Sequence, residues 1–471
     1  MNIGRKDLFW GYAASSMRIL AGIIIMPVSL RMLSPDEQGI WQIFLATVSI
    51  ITLLDFGFAS SFTRNVTYIF SGVKDLKATG YEVAESSEMD YGLLKSLLKA
   101  MRTYYCITAL IFFAIFAIVS PFYIPKMLRE YTGDHQMVWI TWVIFGLILA
   151  YELYTYYYNS ILVGCGKVKR NMQITVISQS VRVVLTVVLL LFGLKFYALV
   201  IGLFIADLIN RVLSYNYFYD KKLKTQLSKS FVTKPVKETI KILAPNSIKL
   251  GFTLLGNFLR GKTVMFIAPL FLPLSVIGSY GLTMQITSMI YQLGGTWFST
   301  FYPQISQYTV QGRTTDLKRM YIKAIFFLIV IYVVLSAGFI LFGQDILVFL
   351  KSQTQLLSRP YMFAILLFSL LDMNQGINTG MFTARNEVPF YKSYIIAGVL
   401  TVLFAWIMLK FASLGVWSLI LSGGLAMSIY IFWKWPLKVI KDLNVSWKDV
   451  SQTIIIMWNE IIELFRKKFK T

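Results

Sequence analysis

The chain has 471 residues, 56% of them hydrophobic, 16% aromatic and only 14% charged, against about 25% charged in an ordinary soluble domain. In so apolar a chain a net charge of +22 reads as the positive-inside signature of a multi-pass membrane protein rather than as a nucleic-acid footprint. Two cysteines, Cys106 and Cys165, and a single His135 exclude a disulfide framework and a histidine-ligated metal site.

Twelve apolar stretches approach or exceed the about 20 residues that cross a bilayer. They run over 8–30, 39–66, 102–124, 138–161, 172–193, 196–218, 243–267, 277–303, 323–345, 361–383, 391–411 and 414–436. Arg5 and Lys6 precede a first stretch too long for a cleavable signal peptide. In it, Gly11, Ser15, Arg18 and Gly22 share one face, and Arg18 lies about 15 Å from the starting end, near the midplane. Span 2 carries Asp55 near its middle and Arg64 toward its end. The mixed-charge loop 72–101 reads as a solvated insertion. Span 4 carries Glu152. On span 5, Thr175, Gln179, Arg182 and Thr186 form a face. On span 6, Asp207 and Arg211 at i,i+4 are expected to pair.

Span 7 is the most heavily charged. Asn246, Lys249, Thr253, Asn257 and Arg260 fall on one face at heptad-like spacing, while Lys262 points away and is free to snorkel. Span 8 has a polar stripe of Gln285, Ser288, Gln292, Thr296 and Ser299. Span 10 has Asp372, Asn374, Gln375, Asn378 and Thr379. Beyond Pro436, Trp447–Phe469 carries an apolar stripe (Val450, Ile454, Met457, Ile461, Leu464, Phe465), then Arg466, Lys467, Lys468 and Lys470. It reads as an amphipathic helix on an anionic leaflet, with a thirteenth span as the alternative.

An even number of spans puts both termini on one side. The loops and ends of that side hold 31 Lys/Arg and the opposite loops seven, so the termini are expected in the cytoplasm. The chain also repeats itself. Leu33–Trp41 aligns with Leu272–Tyr280 at an offset of 239, and Leu194–Leu199 with Leu414–Leu419 at 220. The expected fold is all-α: two six-helix lobes, 1–218 and 243–436, related by a pseudo-twofold axis along the membrane normal. A cytoplasmic linker, 219–242, joins them, and 437–471 forms an interfacial tail.

Spans 1, 5 and 7 together hold five cations (Arg18, Arg182, Lys249, Arg260, Lys262) and no carboxylate. A charge at membrane depth costs several kcal/mol or more, so the pattern calls for an incoming anion. Arginine suits phosphate through its bidentate fork. The candidate anion site is Arg18, Arg182, Lys249, Arg260, Arg64 and Asn257. The competing reading for Arg18 and Arg182 is a buried salt bridge to Asp55, Glu152 or Asp207. The neutral polar residues of spans 8 and 10 suit sugar hydroxyls, or equally serve as interhelical glue. Asp55, Glu152 and Asp372 are candidates for coupling to Na+ or H+. No phosphate-loop, HExxH or GxSxG signature is present, and no cofactor is expected.

The run Arg31-Met-Leu-Ser-Pro-Asp-Glu-Gln-Gly-Ile-Trp41 resembles the R-x-L-x-P-x-x-x-G-x-W signature after the first span of bacterial oligosaccharide flippases. Leu54–Arg64 (LDFGFASSFTR) resembles the DFG-small-small-x-x-x-R end of their second span. Over residues 1–440 the chain is similar to Wzx-type O-antigen and polysaccharide flippases, whose superfamily includes multidrug and toxin extrusion transporters and lipid II flippases. The resemblance implies a V-shaped bundle in a bacterial inner membrane. It implies alternating access, a substrate of oligosaccharide linked by diphosphate to undecaprenol, and contact with polysaccharide polymerase machinery. Lipid II flippases use cavity arginines in spans 1, 2 and 8. Arg18 matches the first and Arg64 loosely the second, whereas span 8 here has no cation and span 7 has three. A cation-coupled drug exporter of the same fold and a membrane polysaccharide polymerase or ligase are the alternatives. The first would want an acidic cavity, the second a long external loop.

Overall fold

The computed structural model describes residues 5–76, 89–385 and 387–468. Among these, helix is the only regular secondary structure. The helices are α1 (Arg5–Met32), α2 (Pro35–Asp55), α3 (Phe58–Phe70), α4 (Tyr91–Met127), α5 (His135–Tyr154), α6 (Tyr157–Gly164), α7 (Val168–Leu191), α8 (Lys195–Phe218) and α9 (Lys221–Lys229). They continue as α10 (Val236–Gly261), α11 (Thr263–Ile267), α12 (Leu274–Val310), α13 (Thr314–Phe349), α14 (Arg359–Ala384), α15 (Tyr391–Lys410), α16 (Val416–Ser428), α17 (Ile431–Asp442) and α18 (Trp447–Lys468). Each of the twelve expected spans coincides with one helix or with a helix broken once. The breaks fall in spans 2, 4, 7 and 12. Within the expected loop 72–101, residues 77–88 lie outside the described part.

Eight of these segments are long and apolar enough to cross a membrane: 35–55, 91–127, 135–164, 168–191, 195–218, 314–349, 391–410 and 416–442. The other four spans each carry charged or polar residues read from the sequence: Arg18 on α1, the Asn246–Arg260 face on α10, the Gln285–Ser299 stripe on α12 and the set around Asp372 on α14. Their polarity is the price of a face that cannot meet lipid tails.

Local chemistry sets the helix ends. Ser34 and Glu37 cap α2 reciprocally, with Pro35 at its first position. The same Glu37 takes a 2.7 Å ion pair from Lys195. Asp90, Asp134 and Asp220 each accept a backbone N–H at the starts of α4, α5 and α9. Ser446 and Asp449 cap α18, where Asp449 also receives Lys318 at 3.1 Å. The Ser446 backbone N–H, then its hydroxyl, then Lys318 hold the Asp449 carboxyl down at about 2. Thr453 and Met457 of α18 are buried while Ile454–Ile456 are exposed. The expected stripe beyond Met457 lies outside the described side chains.

The chain forms two compact units, Met1–Gly278 with Phe349–Gln355, and Ser279–Val348 with Leu356–Thr471. In the first, α7 packs on α1 and α8, α3 on α6, and α4 on α5. Its core is aromatic: Phe44 stacks on Phe145 at 5.0 Å and on Phe196 at 5.9 Å, with Trp142 edge-on at 4.9 Å. In the second unit, α15 packs on α16, and α14 on α16 and α17. Tyr332 of α13 donates to the Leu366 carbonyl of α14 at 3.0 Å.

The boundary between compact units, at Gly278, differs from the lobe boundary expected at 218–243. The α10 helix packs on α2, α3 and α4 of the first unit. Glycines account for this: a side chain on Gly57 would meet Leu250 and the Ser247 carbonyl, and one on Gly251 would meet Phe56. The two helices therefore nest backbone to backbone.

A second glycine pair joins the repeated segments. A Cβ on Gly39 would strike the Leu274 carbonyl, and one on Gly278 would lie 2.6 Å from the Pro35 carbonyl oxygen. Pro35 and Leu274, like Gly39 and Gly278, are matched at the offset of 239. The contact is thus reciprocal, as a small-residue helix crossing between related segments requires. Gly39→Ala is expected to destabilise the protein by about 1–3 kcal/mol through overpacking, read as a lower thermal midpoint. Gly11→Ala, at a site with no neighbour within 4 Å, is expected not to lower it.

Candidate anion-binding site

The sequence-derived cations occupy different surroundings. Arg18 on α1 is exposed. Ala14 and Ala21, about one turn to either side, are buried, so Arg18 emerges from a packed seam. Arg64 on α3 is likewise exposed. Neither makes a hydrogen bond or ion pair among the described residues. A bare guanidinium at membrane depth must look onto water, and Arg18 lies near the middle of its span.

On α10, Arg260 donates from Nη2 to Asn257 Oδ1 at 3.3 Å. The two polar residues at i,i+3 therefore hold one another in orientation. The side chains of Ser15, Asn246 and Lys249 lie outside the described part of the structure. Lys262 sits at the α10–α11 junction and is exposed.

Arg182 on α7 is half-buried and donates to Gln179 at 3.5 Å. It lies within electrostatic reach of Asp207 and Glu152. Of the two readings open for this residue, the structure thus brings it to acidic partners of its own unit. The helix pair α1–α7 carries Arg18 and Arg182, and the helix pair α3–α10 carries Arg64, Asn257 and Arg260.

The Asp55-Phe56-Gly57 segment positions the second pair. Asp55 Oδ1 accepts from the Ala59 backbone N–H at 2.9 Å and from the Tyr105 hydroxyl at 2.5 Å. It thereby caps α3 from the end of α2. Tyr104 donates to the freed carbonyls of Leu54 and Asp55. Phe56 takes a left-handed φ of 49°, Gly57 a φ of 78°. This turn sets Phe56 against Phe252 at 5.8 Å and brings the hydroxyls of Ser61 and Ser247 to 2.8 Å. Asp55, a coupling candidate in the sequence, is engaged in this break. The roles of Tyr104, Tyr105 and Ser247 leave no mark in the sequence; tyrosines alone in an aromatic-rich chain give no sign of a cap partner.

The neutral polar residues separate in the second unit. On α12, Ser288, Gln292, Thr296 and Ser299 are exposed, and their side chains bond to carbonyls of their own helix. Among the described residues they form no bridge to a neighbouring helix. On α14, Asn378 is buried and accepts from Tyr321 of α13 at 3.0 Å, which makes it interhelical glue. Asp372 is half-buried on the same helix.

A family model described as polysaccharide biosynthesis protein matches residues 5–309. Among solved structures, the chain resembles an inward-facing multidrug resistance MATE family transporter of the MOP superfamily. The identity is 14%, with 90% of this chain and 95% of that chain covered and a TM-score of 0.61. It resembles the lipid II flippase MurJ in an inward closed conformation at 11% identity, covering 97% and 93%, with a TM-score of 0.61. A third likeness is to a MOP superfamily transporter from Pyrococcus furiosus, described by the reverse polarity of its binding pocket, at 15% identity, 94% and 96% coverage and a TM-score of 0.55. These likenesses establish the fold. No curated protein matches the chain.

Tyr105→Phe removes one of the two donors to the buried Asp55 carboxylate. It is expected to cost about 1–3 kcal/mol, seen as a lowered thermal midpoint of the purified protein. An unchanged midpoint would mean that the break is held by the Ala59 cap alone.

Proposed function

The chain belongs to the polysaccharide biosynthesis protein family, and from that premise we propose that it is a flippase for undecaprenyl-diphosphate-linked oligosaccharide. It moves an O-antigen or another surface polysaccharide repeat unit from the cytoplasmic to the outer leaflet of a bacterial inner membrane. Both termini are then cytoplasmic, in keeping with the 31-to-7 division of Lys and Arg. The polymer-forming machinery on the far side is the natural recipient of its product.

The observation that carries this reading is the exposed guanidinium of Arg18, near the middle of its span and without a protein partner among the described residues. A site of this kind is complementary to a diphosphate, which accepts the planar donor fork bidentately. Arg64 and the Asn257–Arg260 pair add donors from α3 and α10, and Lys249 adds a further positive charge. Taken by itself, the second unit carries on α12 an exposed stripe of neutral hydrogen-bonding groups of the kind sugar hydroxyls use. The polyprenyl tail stays in lipid throughout, so only the polar head must be accommodated. No bond is made or broken: the protein acts by binding the head differently in two conformations. An exporter of organic cations would need acidic groups where spans 1, 5 and 7 carry only cations.

In cells that depend on this protein for surface polysaccharide, Arg18→Ala is expected to lower the polymer about 10- to 100-fold, the equivalent of one charge-assisted hydrogen-bonded contact. Lipid-linked intermediates should accumulate with the protein level unchanged, and Arg18→Lys should restore only part of the output because it keeps the charge and loses the fork. Normal polysaccharide in Arg18→Ala cells would remove Arg18 from the site.

A further inference from the structure

We infer that the corner where α7 begins and α8 turns into α9 binds the phosphate headgroups of anionic phospholipids. Segments 165–172 and 215–225 together hold six Lys or Arg (Lys167, Lys169, Arg170, Lys221, Lys222 and Lys224) and a single acid, Asp220. Three segments able to cross a membrane, 135–164, 168–191 and 195–218, begin or end there. All six cations lie within six residues of such an end. At 1.5 Å per residue this keeps them within about 9 Å of it, at the level of the headgroups.

The corner is built from residues distant in the chain. Gly166, at a φ of 81°, ends α6, and the Lys167 backbone N–H returns to the Leu162 carbonyl at 2.9 Å. The Lys167 side chain then crosses to α8. Its Nζ donates to the Tyr217 carbonyl at 2.7 Å and stands 3.9 Å from Asp220. That carbonyl is one of the terminal ones that a helix cannot satisfy from within. Asp220 in turn caps α9, accepting the Leu223 N–H at 2.8 Å. The one carboxylate of the two segments is thus engaged in structure, and the cations around it keep a surplus of positive charge.

Tyrosines hold two of these cations at the rim. Arg170 lies over the Tyr217 ring at 5.1 Å, and Lys224 over the Tyr215 ring at 4.9 Å. Tyr215 and Tyr219, at i,i+4, meet at 4.9 Å on one side of the end of α8, and Tyr217 stands on the other. Tyr215 and Tyr217 are 41% and 37% exposed. A phenol ring favours the boundary between acyl chains and headgroups, so a cation stacked on it is set at the height of the phosphates. Arg170 gives one donor to Gln173 at 3.0 Å, and a guanidinium has five. The α9 helix buries Leu223 and Leu227 and packs on α4, and Lys221, Lys222 and Lys224 are left exposed.

Position selects the ligand. Phospholipid phosphate is present at this level all around the protein, and each cation near an anionic leaflet adds to the attraction. An acidic protein would have to displace lipid from around three membrane segments to reach Tyr215 and Tyr217. The inference rests on membrane embedding and not on the flippase reading; in the orientation proposed above, the leaflet is the cytoplasmic one. Bound headgroups offset the like charges crowded at the corner and so stabilise it by mass action.

The test uses the purified full-length protein in phosphatidylcholine nanodiscs carrying a rising fraction of photoreactive phosphatidylglycerol, or of photoreactive phosphatidylcholine as the comparison. Cross-linked peptides are mapped by mass spectrometry. The expected result is preferential cross-linking of phosphatidylglycerol within 165–172 and 215–225. Its half-saturation should rise about 5-fold for each cation removed in Arg170→Gln and Lys224→Gln. Arg170→Lys should keep most of the binding, and Lys126→Gln, near the other end of α4, should leave it unchanged. Equal cross-linking of the two lipids, no cross-link within the two segments, or cross-links there that persist unchanged when both substitutions are combined would overturn the proposal. Displacement by inorganic phosphate would overturn it in favour of a soluble anion, and displacement by a polyglutamate peptide in favour of an acidic protein. No transport is measured, so a protein that failed to move glycolipid could still show the cross-links, and the two readings fail separately.

Discussion

A guanidinium within a membrane has to be paired, hydrogen-bonded or wet, and this constraint orders the charged residues of the first unit. Arg182 and Arg211 lie by Glu152 and Asp207, and Arg260 bonds to Asn257. Among the described residues Arg18 and Arg64 have none of these partners, and both are exposed. Arg182 and Arg211 lie by acidic groups of their own unit, while Arg260 is held in orientation by Asn257 and stays only half-buried. Arg18 and Arg64 call for water. One physical cost, that of desolvating an ion, thus separates cations engaged within the helix bundle from cations left open to water.

Presenting those side chains takes a backbone that brings polar helices close without burying polar atoms unpaired. The break after Asp55 does this by exchanging two helical residues for a turn of positive φ, with Asp55, Tyr104 and Tyr105 satisfying the freed groups. Glycine at positions 57 and 251 lets α10 settle onto the turn, and Gly39 and Gly278 make the corresponding approach where the repeated segments meet. Larger residues at positions 57 and 251 would keep α3 and α10, the helices of Arg64 and Arg260, apart. The same break explains why the DFG segment reads as a motif: each of its residues has a separate steric or hydrogen-bonding task.

Much of this is legible in the sequence because it depends on periodicity and local chemistry. Twelve apolar runs locate the helices, and the polar faces mark where α1 and α10 carry their cations and α12 its neutral stripe. The offset of 239 matches residues that touch in the fold. The illegible part depends on contacts between segments distant in the chain. Glu152 and Asp207 stand 55 positions apart, on helices whose order says nothing of their rotation, so their common approach to Arg182 leaves no pattern. An Asp207–Arg211 bond is the natural expectation because i,i+4 spacing is visible in a sequence, yet among the described residues Arg211 Nε and Nη1 make no hydrogen bond. The membership of α10 in the first unit is hidden for the same reason: chain order groups it with the C-terminal spans, and its glycine contacts join it to the N-terminal ones. The polar residues of α12 and α14 look alike as letters, and only exposure and the Tyr321–Asn378 bond tell open groups from structural ones.

The central claim is that an anionic head group attached to a lipid crosses the membrane on this protein. It is tested most directly in proteoliposomes that contain a short-chain polyprenyl-diphosphate oligosaccharide confined to one leaflet, with its sugars probed by a membrane-impermeant lectin. The account predicts protein-dependent transfer of sugars to the lectin-accessible leaflet, reduced by Arg18→Ala and competed by the same lipid diphosphate without sugar. Transfer no faster than in protein-free vesicles, or equally fast for a lipid whose linker carries no charge, would contradict it.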